Sequence, residues 1–571
     1  MLRTKTIGNQ VKIEFDGDDF SDCLNAVRDL PVRRFDNYEK AWFVPVEGMK
    51  LFFTKLGRVC PPEYDIEVNN EVEIVIKNDK FEIKPELNIR DSRLGRMLYL
   101  KRPKDAFHVA EILKDRGFEV SLKGFSPKVG LKIPKGPTLY PFQEEAVTRL
   151  ESQKRGLVAY DMGLGKTIIS LEYARRGEFQ SLMVLAPGAL LTQWKSEASK
   201  LFGCDQAVVI NGQIEKKKRL PLYNSPFIIA SYDIIKNDLK DLWKMGIKLH
   251  FDLIILDEAQ KVKNWDTQRA EAVSLIVAPV VLGLSGTPVE NKIEELYFIM
   301  DQIIPAYFGG FGRFKERYIL TDSWGSITGY KNLEEVYDSL SEVMLRKKAE
   351  EVGEQLPKIV TMERRCNLTP NEKAFFNEIA DRDKGLGTLQ ELKVFSSNSS
   401  IYSGEVLGGL SSKEKMFQEL INDELEGRQV IVFTQFKKNV KRLESLVNED
   451  RKVFTLTGGM KVDMKEFAEE FAKTPRAVLI MTEVGAYGLN LQSASAVVNF
   501  DLPWNPSNLK QRIGRVRRLK SAHDSVLEIN LISNDSLDDY ILSLLQDKID
   551  LFDATVEGIQ KTIAEKFWSD R

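Results

Sequence analysis

The sequence predicts an α/β protein of two lobes, each a parallel sheet flanked by helices, behind an N-terminal α+β extension. Two series of short, continuously apolar runs alternating with amphipathic stretches predict the lobes, since a strand covered on both faces need not alternate polar and apolar residues. A polar, Ser/Gly-rich stretch over 381–412 separates the two series. The length of 571 residues fits about three or four domains.

The elements follow in order. Residues 1–135 form the α+β extension, with strand-like runs at Val11–Phe15 and Val72–Ile76 and a helix-like run at Phe107–Lys114. Pro134, Gly136 and Pro137 mark a boundary before a helical Pro141–Leu150. Lobe one covers 136–345, with strands expected at Leu157–Tyr160, Leu182–Ala186, Phe227–Ser231, Leu253–Asp257 and Val280–Leu284. Residues 346–410 read as a linker and helical insertion, in which Ser396-Ser397-Asn398-Ser399-Ser400 suggests a connecting or mobile segment. Lobe two covers 411–571, with strands at Val430–Thr434, Val453–Leu456, Ala477–Met481, Val497–Asp501 and Val526–Ile532, and a terminal helix from about Leu537.

Composition narrows the function classes. An apolar fraction of 43% and a net charge of −2 argue against disorder, collagen and a membrane channel. Cys23, Cys60, Cys204 and Cys366 form no Cys-x-x-Cys pair, which excludes a zinc finger. Sparse thiols and an N-terminus without an apolar run imply a reducing, intracellular setting, cytoplasm or nucleoid, with no membrane anchor; a nuclear location is left open. Near-neutral charge argues against a nucleic-acid partner until it is divided by region. Residues 61–83 hold seven acidic and two basic residues, whereas 84–135 hold thirteen basic and six acidic. Between Asn505 and His523 there are six basic residues and no acidic ones.

Tyr160-Asp161-Met162-Gly163-Leu164-Gly165-Lys166-Thr167 follows a strand and opens a helix, the setting of a phosphate-binding loop. Backbone N–H groups from Met162 to Gly165 would cradle phosphates, Lys166 would reach the β/γ-phosphates, and the Thr167 hydroxyl would ligate Mg²⁺. The strict pattern has Gly where Tyr160 stands. A buried strand, Leu253–Leu256, then delivers Asp257 and Glu258 at its C-terminal end. Asp257 would hold Mg²⁺ through a water, and Glu258 would orient the attacking water. ATP hydrolysis is the chemistry this pairing implies. Charge developing on the γ-phosphate calls for arginine, and Arg515 and Arg518, at i and i+3, are expected to share a helix face and to point at one ligand. They lie in the second lobe, so the site would be a cleft between lobes.

These residues resemble the SNF2-type ATPases of helicase superfamily 2, over about residues 138–560. Leu139-Tyr140-Pro141-Phe142-Gln143 is similar to the adenine-reading glutamine motif; Asp161–Thr167 and Asp257–Gln260 match motifs I and II. Leu190-Leu191-Thr192-Gln193-Trp194 resembles motif Ia, Ile229–Tyr232 motif Ib, Leu284–Asn291 motif III and Val432–Phe436 motif IV. Gly488-Leu489-Asn490-Leu491 matches motif V, Trp504-Asn505-Pro506 is the hallmark of SNF2 members, and Arg515 and Arg518 match motif VI. Gln260 stands where many members have His, Lys347 where they have Arg, and Gly514 where they have Asp.

The resemblance implies two tandem RecA-like lobes with SNF2-type helical insertions, ATP and Mg²⁺ as cofactors, and double-stranded DNA as partner. It implies nucleotide contacts from Gln143 and Gly488, and coupling of nucleotide state to DNA grip through Ser285, Thr287 and Gln511. It implies nucleic-acid contacts from Gln193, Trp194, Asn490 and Trp504. Residues 10–60 further resemble the HARP domain of annealing helicases through Ala26–Asp36 and Lys40–Val46. There Arg33, Arg34, Lys40 and Trp42 could form a phosphate-and-stacking surface, or Trp42 and Phe43 could be strand core. The expectation is an ATP-driven duplex-DNA translocase. Alternatives are an annealing or fork-remodelling helicase acting on forked or junction DNA, and an ATP-driven switch acting on a protein such as RNA polymerase.

Overall fold

The structure is a computed structural model. It describes the chain apart from residues 1, 8–9, 16–19, 29, 31–32, 37–40, 46–51, 54, 57–70, 85–91, 116–117, 265–266, 287–292, 323–326, 383–384, 404–408, 459, 461, 463, 484–490, 505, 520, 522 and 547–571.

The N-terminal region holds two small sheets. Strands β1 (Leu2–Ile7), β2 (Gln10–Phe15), β3 (Arg34–Asp36) and β4 (Ala41–Pro45) form an antiparallel sheet ordered β1-β2-β4-β3, beside a helix over Phe20–Arg28. Its alternation is visible in β2, where Val11 and Ile13 are buried while Lys12 and Glu14 pair on the other face at 2.8 Å. Strands β5 (Glu71–Ile76), β6 (Phe81–Lys84) and β7 (Glu119–Lys123) form the second sheet, with helices over Ser92–Leu100 and Ala106–Asp115.

This second unit docks on lobe one through charge. Arg102 Nη1 donates to Asp301 Oδ2 at 2.6 Å, and Lys104 Nζ donates to Asp301 O at 2.6 Å and Gln302 Oε1 at 3.0 Å. Arg96 reaches the same carboxylate at 3.3 Å. Three cations of the basic 84–135 stretch therefore serve docking. Burial, first, holds the Lys104 ammonium down to about 7, although Asp301 and Asp105 oppose it.

Lobe one is a seven-stranded parallel sheet of β8 (Gly156–Tyr160), β9 (Leu182–Ala186), β10 (Val208–Ile210), β11 (Phe227–Ser231), β12 (Leu253–Asp257), β13 (Val280–Leu284) and β16 (Met344–Lys347). Its order is β10-β11-β9-β12-β13-β8-β16, with a hairpin of β14 (Ile319–Thr321) and β15 (Ile327–Tyr330) outside it. Every residue of β8, β9, β12 and β13 is buried, as their unbroken apolar sequences predict. Because all strands run the same way, the loops after β8, β12 and β13 emerge at one edge.

Lobe two is a six-stranded parallel sheet of β17 (Lys358–Asn367), β18 (Val430–Phe433), β19 (Val453–Leu456), β20 (Val478–Met481), β21 (Ala496–Asn499) and β22 (Ser525–Asn534), ordered β17-β22-β21-β18-β20-β19. β17 falls within the segment expected as linker, yet it pairs with β22 along its ten residues. The terminal helix begins at Leu537 and is described to Gln546.

Of the two readings of Ser396–Ser400, connecting or mobile, the mobile one is corrected. All five residues are buried, and their polarity is satisfied internally. Ser397 Oγ donates to Asp501 Oδ2 at 2.9 Å, Asn398 Nδ2 to Glu414 Oε1 at 2.9 Å, and Ser399 Oγ to Glu372 Oε1 at 2.6 Å. Composition signals a linker only when polar groups look to water for partners; here protein supplies them.

Candidate active site

The phosphate loop leaves β8 at Asp161, whose Oδ2 accepts from the Ala349 N–H at 2.9 Å. Gly163 and Gly165 take φ of 83° and 79°, and Gly165 caps the helix over Lys166–Arg176. A side chain at Gly165 would fit neither the backbone nor the space, since its Cβ would lie 2.4 Å from Gln143 Nε2. Gln143 braces the loop from behind: its Oε1 accepts from the Tyr140 N–H at 3.1 Å and its Nε2 donates to Leu164 O at 3.1 Å. Lys166 Nζ donates to Tyr160 O at 2.8 Å. Burial lowers its ammonium pKa, against the pull of Glu258, Asp257 and Asp161, while Arg518 adds to the lowering.

Asp257 and Glu258 leave β12 beside this loop. Asp257 is 7% exposed. Its Oδ1 accepts from the Glu258 N–H at 3.0 Å and its Oδ2 from Trp194 Nε1 at 2.8 Å, while Tyr232 Oη donates to its carbonyl at 2.8 Å. Burial, then the neighbouring Glu258 charge, pushes its carboxyl up to about 7, partly offset by the Trp194 hydrogen bond and Lys166. A buried carboxylate raised in this way, with the Lys166 ammonium of the phosphate loop among the charges that act on it, suits a hard divalent cation with oxygen ligands. Glu258 has φ of 49° and accepts from Gln260 Nε2 at 2.7 Å; Gln260 Oε1 in turn accepts from Ser285 Oγ at 2.9 Å. The segments after β12 and β13 are thereby joined.

Lobe two closes the site. A Cβ on Gly163 would meet Arg517 O at 2.7 Å and Arg518 Cα at 3.4 Å, and one on Gly514 would meet Met162 Cβ at 2.9 Å. Glycine at 514 lets the lobes approach. The expectation that Arg515 and Arg518 share a helix face is corrected: the helix over Pro506–Ile513 ends before them, Arg515 lies in the turn that follows, and Arg518 lies in irregular chain beyond it. Arg515 is buried and Arg518 half-buried. Burial and then the adjacent Arg515 lower the Arg518 guanidinium to about 10, and Glu197 opposes this.

Other expected residues fall elsewhere. Trp194, expected to touch nucleic acid, is 1% exposed and cannot do so; its indole is spent on Asp257. Gln193 is half-buried and donates to Glu197 Oε1 at 2.7 Å. Trp504 packs with Leu502 and Phe376, with Lys393 Nζ 5.3 Å from its ring centre. Gln511 is half-buried on the helix over Pro506–Ile513. Arg512, two per cent exposed, is structural: it binds Asn499 Oδ1 at 3.0 Å, Asp501 O at 2.7 Å and Glu483 Oε1 at 2.7 Å. Arg33 is half-buried and donates to Leu30 O, and Trp42 packs on the core of the first small sheet. The side chain of Arg34, and all of Lys40, Thr287, Gly488 and Asn490, lie outside the described residues. Sequence reading assigned no role to Gln260 or Glu197, although the i, i+4 spacing of Gln193 and Glu197 was a usable signal. Among the described residues no helix is long and apolar enough to cross a membrane.

Known proteins resemble this chain along most of its length. A family model described as the SNF2-related domain matches residues 67–431, and one described as the helicase conserved C-terminal domain matches 412–520. The chain is 27% identical to the ATP-dependent helicase YqhH of Bacillus subtilis, over 73% of this chain and 80% of that protein. It is 25% identical to the human DNA annealing helicase and endonuclease ZRANB3, over 74% of this chain but only 41% of that protein. The SWI2/SNF2 ATPase core of Sulfolobus solfataricus, solved with double-stranded DNA, is 25% identical over 78% of this chain and 98% of that one, with a TM-score of 0.35. With most of its length matched by the SNF2-related domain, the chain belongs to the SNF2-related family and is an ATP-hydrolysing enzyme of helicase superfamily 2.

Proposed function

We propose that the chain is an ATP-driven translocase on double-stranded DNA, which uses hydrolysis to move along DNA or to remodel protein–DNA complexes. The observation that carries this reading is the apposition of the Arg515–Arg518 segment and the phosphate loop, which supports a nucleotide site in the cleft between the lobes. Lys166 and the loop amides hold the β/γ-phosphates. Thr167 and Asp257 would hold Mg²⁺, which neutralises phosphate charge when bound. Glu258 orients the attacking water, and Arg515 and Arg518 stabilise charge developing on the γ-phosphate. Binding and loss of that phosphate close and open the cleft, and Glu258, Gln260 and Ser285 carry the change to the strand-gripping motifs. Contacts to the DNA backbone, largely indifferent to base sequence, suit such movement.

A second reading, action on forked or junction DNA, is favoured by the annealing helicase among the relatives and by the HARP-like stretch at 10–60. One experiment separates the readings. ATPase rates of wild type and Glu258→Gln are measured with duplex, single-stranded and forked DNA, RNA and RNA polymerase, across a salt series. Duplex stimulation that weakens with salt supports the translocase. Preference for forks, lost on deleting residues 1–135, selects the fork reading. Stimulation by polymerase alone, or by no nucleic acid, overturns both.

A further inference from the structure

The helix over Leu386–Ser397 packs Leu389 and Leu392 in one core with Leu502 of lobe two, and it grips that lobe at two consecutive residues. Ser397 Oγ donates to Asp501 Oδ2 at 2.9 Å, and Lys393 Nζ donates to Leu502 O at 2.5 Å. Lys393 and Ser397 stand four residues apart on one helix face, so both grips point the same way. The gripped residues follow β21 and lead through Trp504 to the helix over Pro506–Ile513.

The same two residues seat the segment that carries the arginines. Arg512 Nη1 donates to Asp501 O at 2.7 Å and to Asn499 Oδ1 at 3.0 Å, and the Arg515 N–H donates to Arg512 O at 3.2 Å. A short run of hydrogen bonds, from Lys393 through Leu502, Asp501 and Arg512, therefore reaches the backbone of Arg515.

Lys393 is a costly residue for this place. It is 0% exposed, and its Nζ lies 5.3 Å from the centre of the Trp504 ring. The Asp501 carboxylate already accepts from Ser397, Thr434 and the Gln435 N–H, and Asp538 is paired with Lys413. Burial, first, holds the Lys393 ammonium down to about 8, although Asp538 and Asp501 oppose it. Leu502 O also accepts from Gln435 Nε2 at 2.7 Å, so that carbonyl has a donor without Lys393. A methionine would fill the same length without burying a charge. What the ammonium adds is direction, as a charged donor on the carbonyl and a cation on the ring face.

We propose that Lys393 is a positioning residue for Arg515: by fixing Leu502 and Trp504 on the helix over Leu386–Ser397, it sets where the helix over Pro506–Ile513 ends and so where Arg515 meets nucleotide. This rests on the reading of Arg515 as an arginine that stabilises charge on the γ-phosphate.

The test is a double-mutant cycle on the full chain, read by kcat, KM for ATP, the Kd and stoichiometry of a fluorescent ADP, and the melting temperature. Lys393→Met is expected to lower kcat by about 10-fold, the worth of a charge-assisted hydrogen bond, with KM, Kd and stoichiometry as in wild type. It should melt at or above wild type, because a buried charge is removed and the carbonyl keeps Gln435. A merely structural role would instead lower the melting temperature together with kcat. In an Arg515→Ala background, Lys393→Met should leave single-turnover hydrolysis unchanged. If Lys393→Met does not fold, Ser397→Ala, which loses the neighbouring grip and no charge, runs the same cycle with an expected loss of about 3-fold. A kcat within two-fold of wild type overturns the proposal, as does an equal loss with and without Arg515. Full turnover by Arg515→Ala alone would instead overturn the underlying assignment of that arginine.

Discussion

Trp194 donates its indole N–H to Asp257 Oδ2 at 2.8 Å, so a residue of the motif Ia helix orients the carboxylate at the end of β12. A tryptophan is costly to bury unless its N–H finds an acceptor, and a carboxylate is costly to bury without donors. Each answers the other's need. Trp194→Phe keeps the apolar packing and removes the donor to a charged group, worth about 1.5–3 kcal/mol. The expected result is a fall in kcat of roughly 10-fold or more and a higher Mg²⁺ requirement, both for turnover and for the binding of a fluorescent ADP. A Mg²⁺ titration of each readout checks this, and an unchanged titration would show that Asp257 is oriented without the indole.

Gln260 holds Glu258 with its Nε2 and Ser285 with its Oε1, at 2.7 and 2.9 Å. Both ends of one amide are engaged, so replacing it by a carboxylate or a methyl group disconnects Glu258 from the segment after β13. Gln260→Ala is expected to lower nucleic-acid-stimulated turnover by about 10-fold while lowering basal turnover less, because a lost charge-assisted hydrogen bond is worth about 1.5–3 kcal/mol. Comparing stimulated and basal rates for Gln260→Ala and Ser285→Ala decides it; equal losses in both rates would remove the coupling role.

Arg515→Ala and Arg518→Ala are expected to lower kcat by ~10³-fold or more, with nucleotide affinity changed far less. Single-turnover hydrolysis alongside equilibrium binding separates the two effects. Turnover within a few-fold of wild type would sink the assignment.

The fold was legible where burial is complete on both faces. β9, β11, β12 and β13 run between the same residues in sequence and structure, because a doubly covered strand writes itself as an unbroken apolar run. β16 and β17 were missed for the complementary reason. They are sheet-edge strands whose sequences, Met344-Leu345-Arg346-Lys347 and Lys358–Asn367, keep polar residues toward solvent. The phosphate loop and the carboxylate pair were legible as local motifs. What one residue does for another across the fold was not: Trp194 looked like a nucleic-acid contact until its buried partner was visible, and Arg512, one of six basic residues in an acid-free run, is held by buried partners that no local pattern announces.

His250 gives the molecule a specific sensitivity to acid. It is 3% exposed, its Nδ1 accepts from the Ser126 N–H at 3.1 Å, and the Phe125 ring stacks on it at 5.4 Å. Burial, then the nearby charges of Lys128 and Lys248, hold its imidazole down to about 4. The unfolded chain binds this proton near the ordinary 6.5 and the folded chain only near 4, so between those values the unfolded state carries more protons and stability rises with pH. Acidification from neutral pH should therefore remove about 2 kcal/mol by pH 5 through this residue. The loss should appear first where residues 125–126 lie on lobe one. His250→Gln, which keeps an acceptor without a titrating group, should flatten that part of the profile. Denaturant melts at pH 7, 6 and 5 for both proteins provide the measurement. Parallel stability losses in wild type and variant would place the acid sensitivity at other groups.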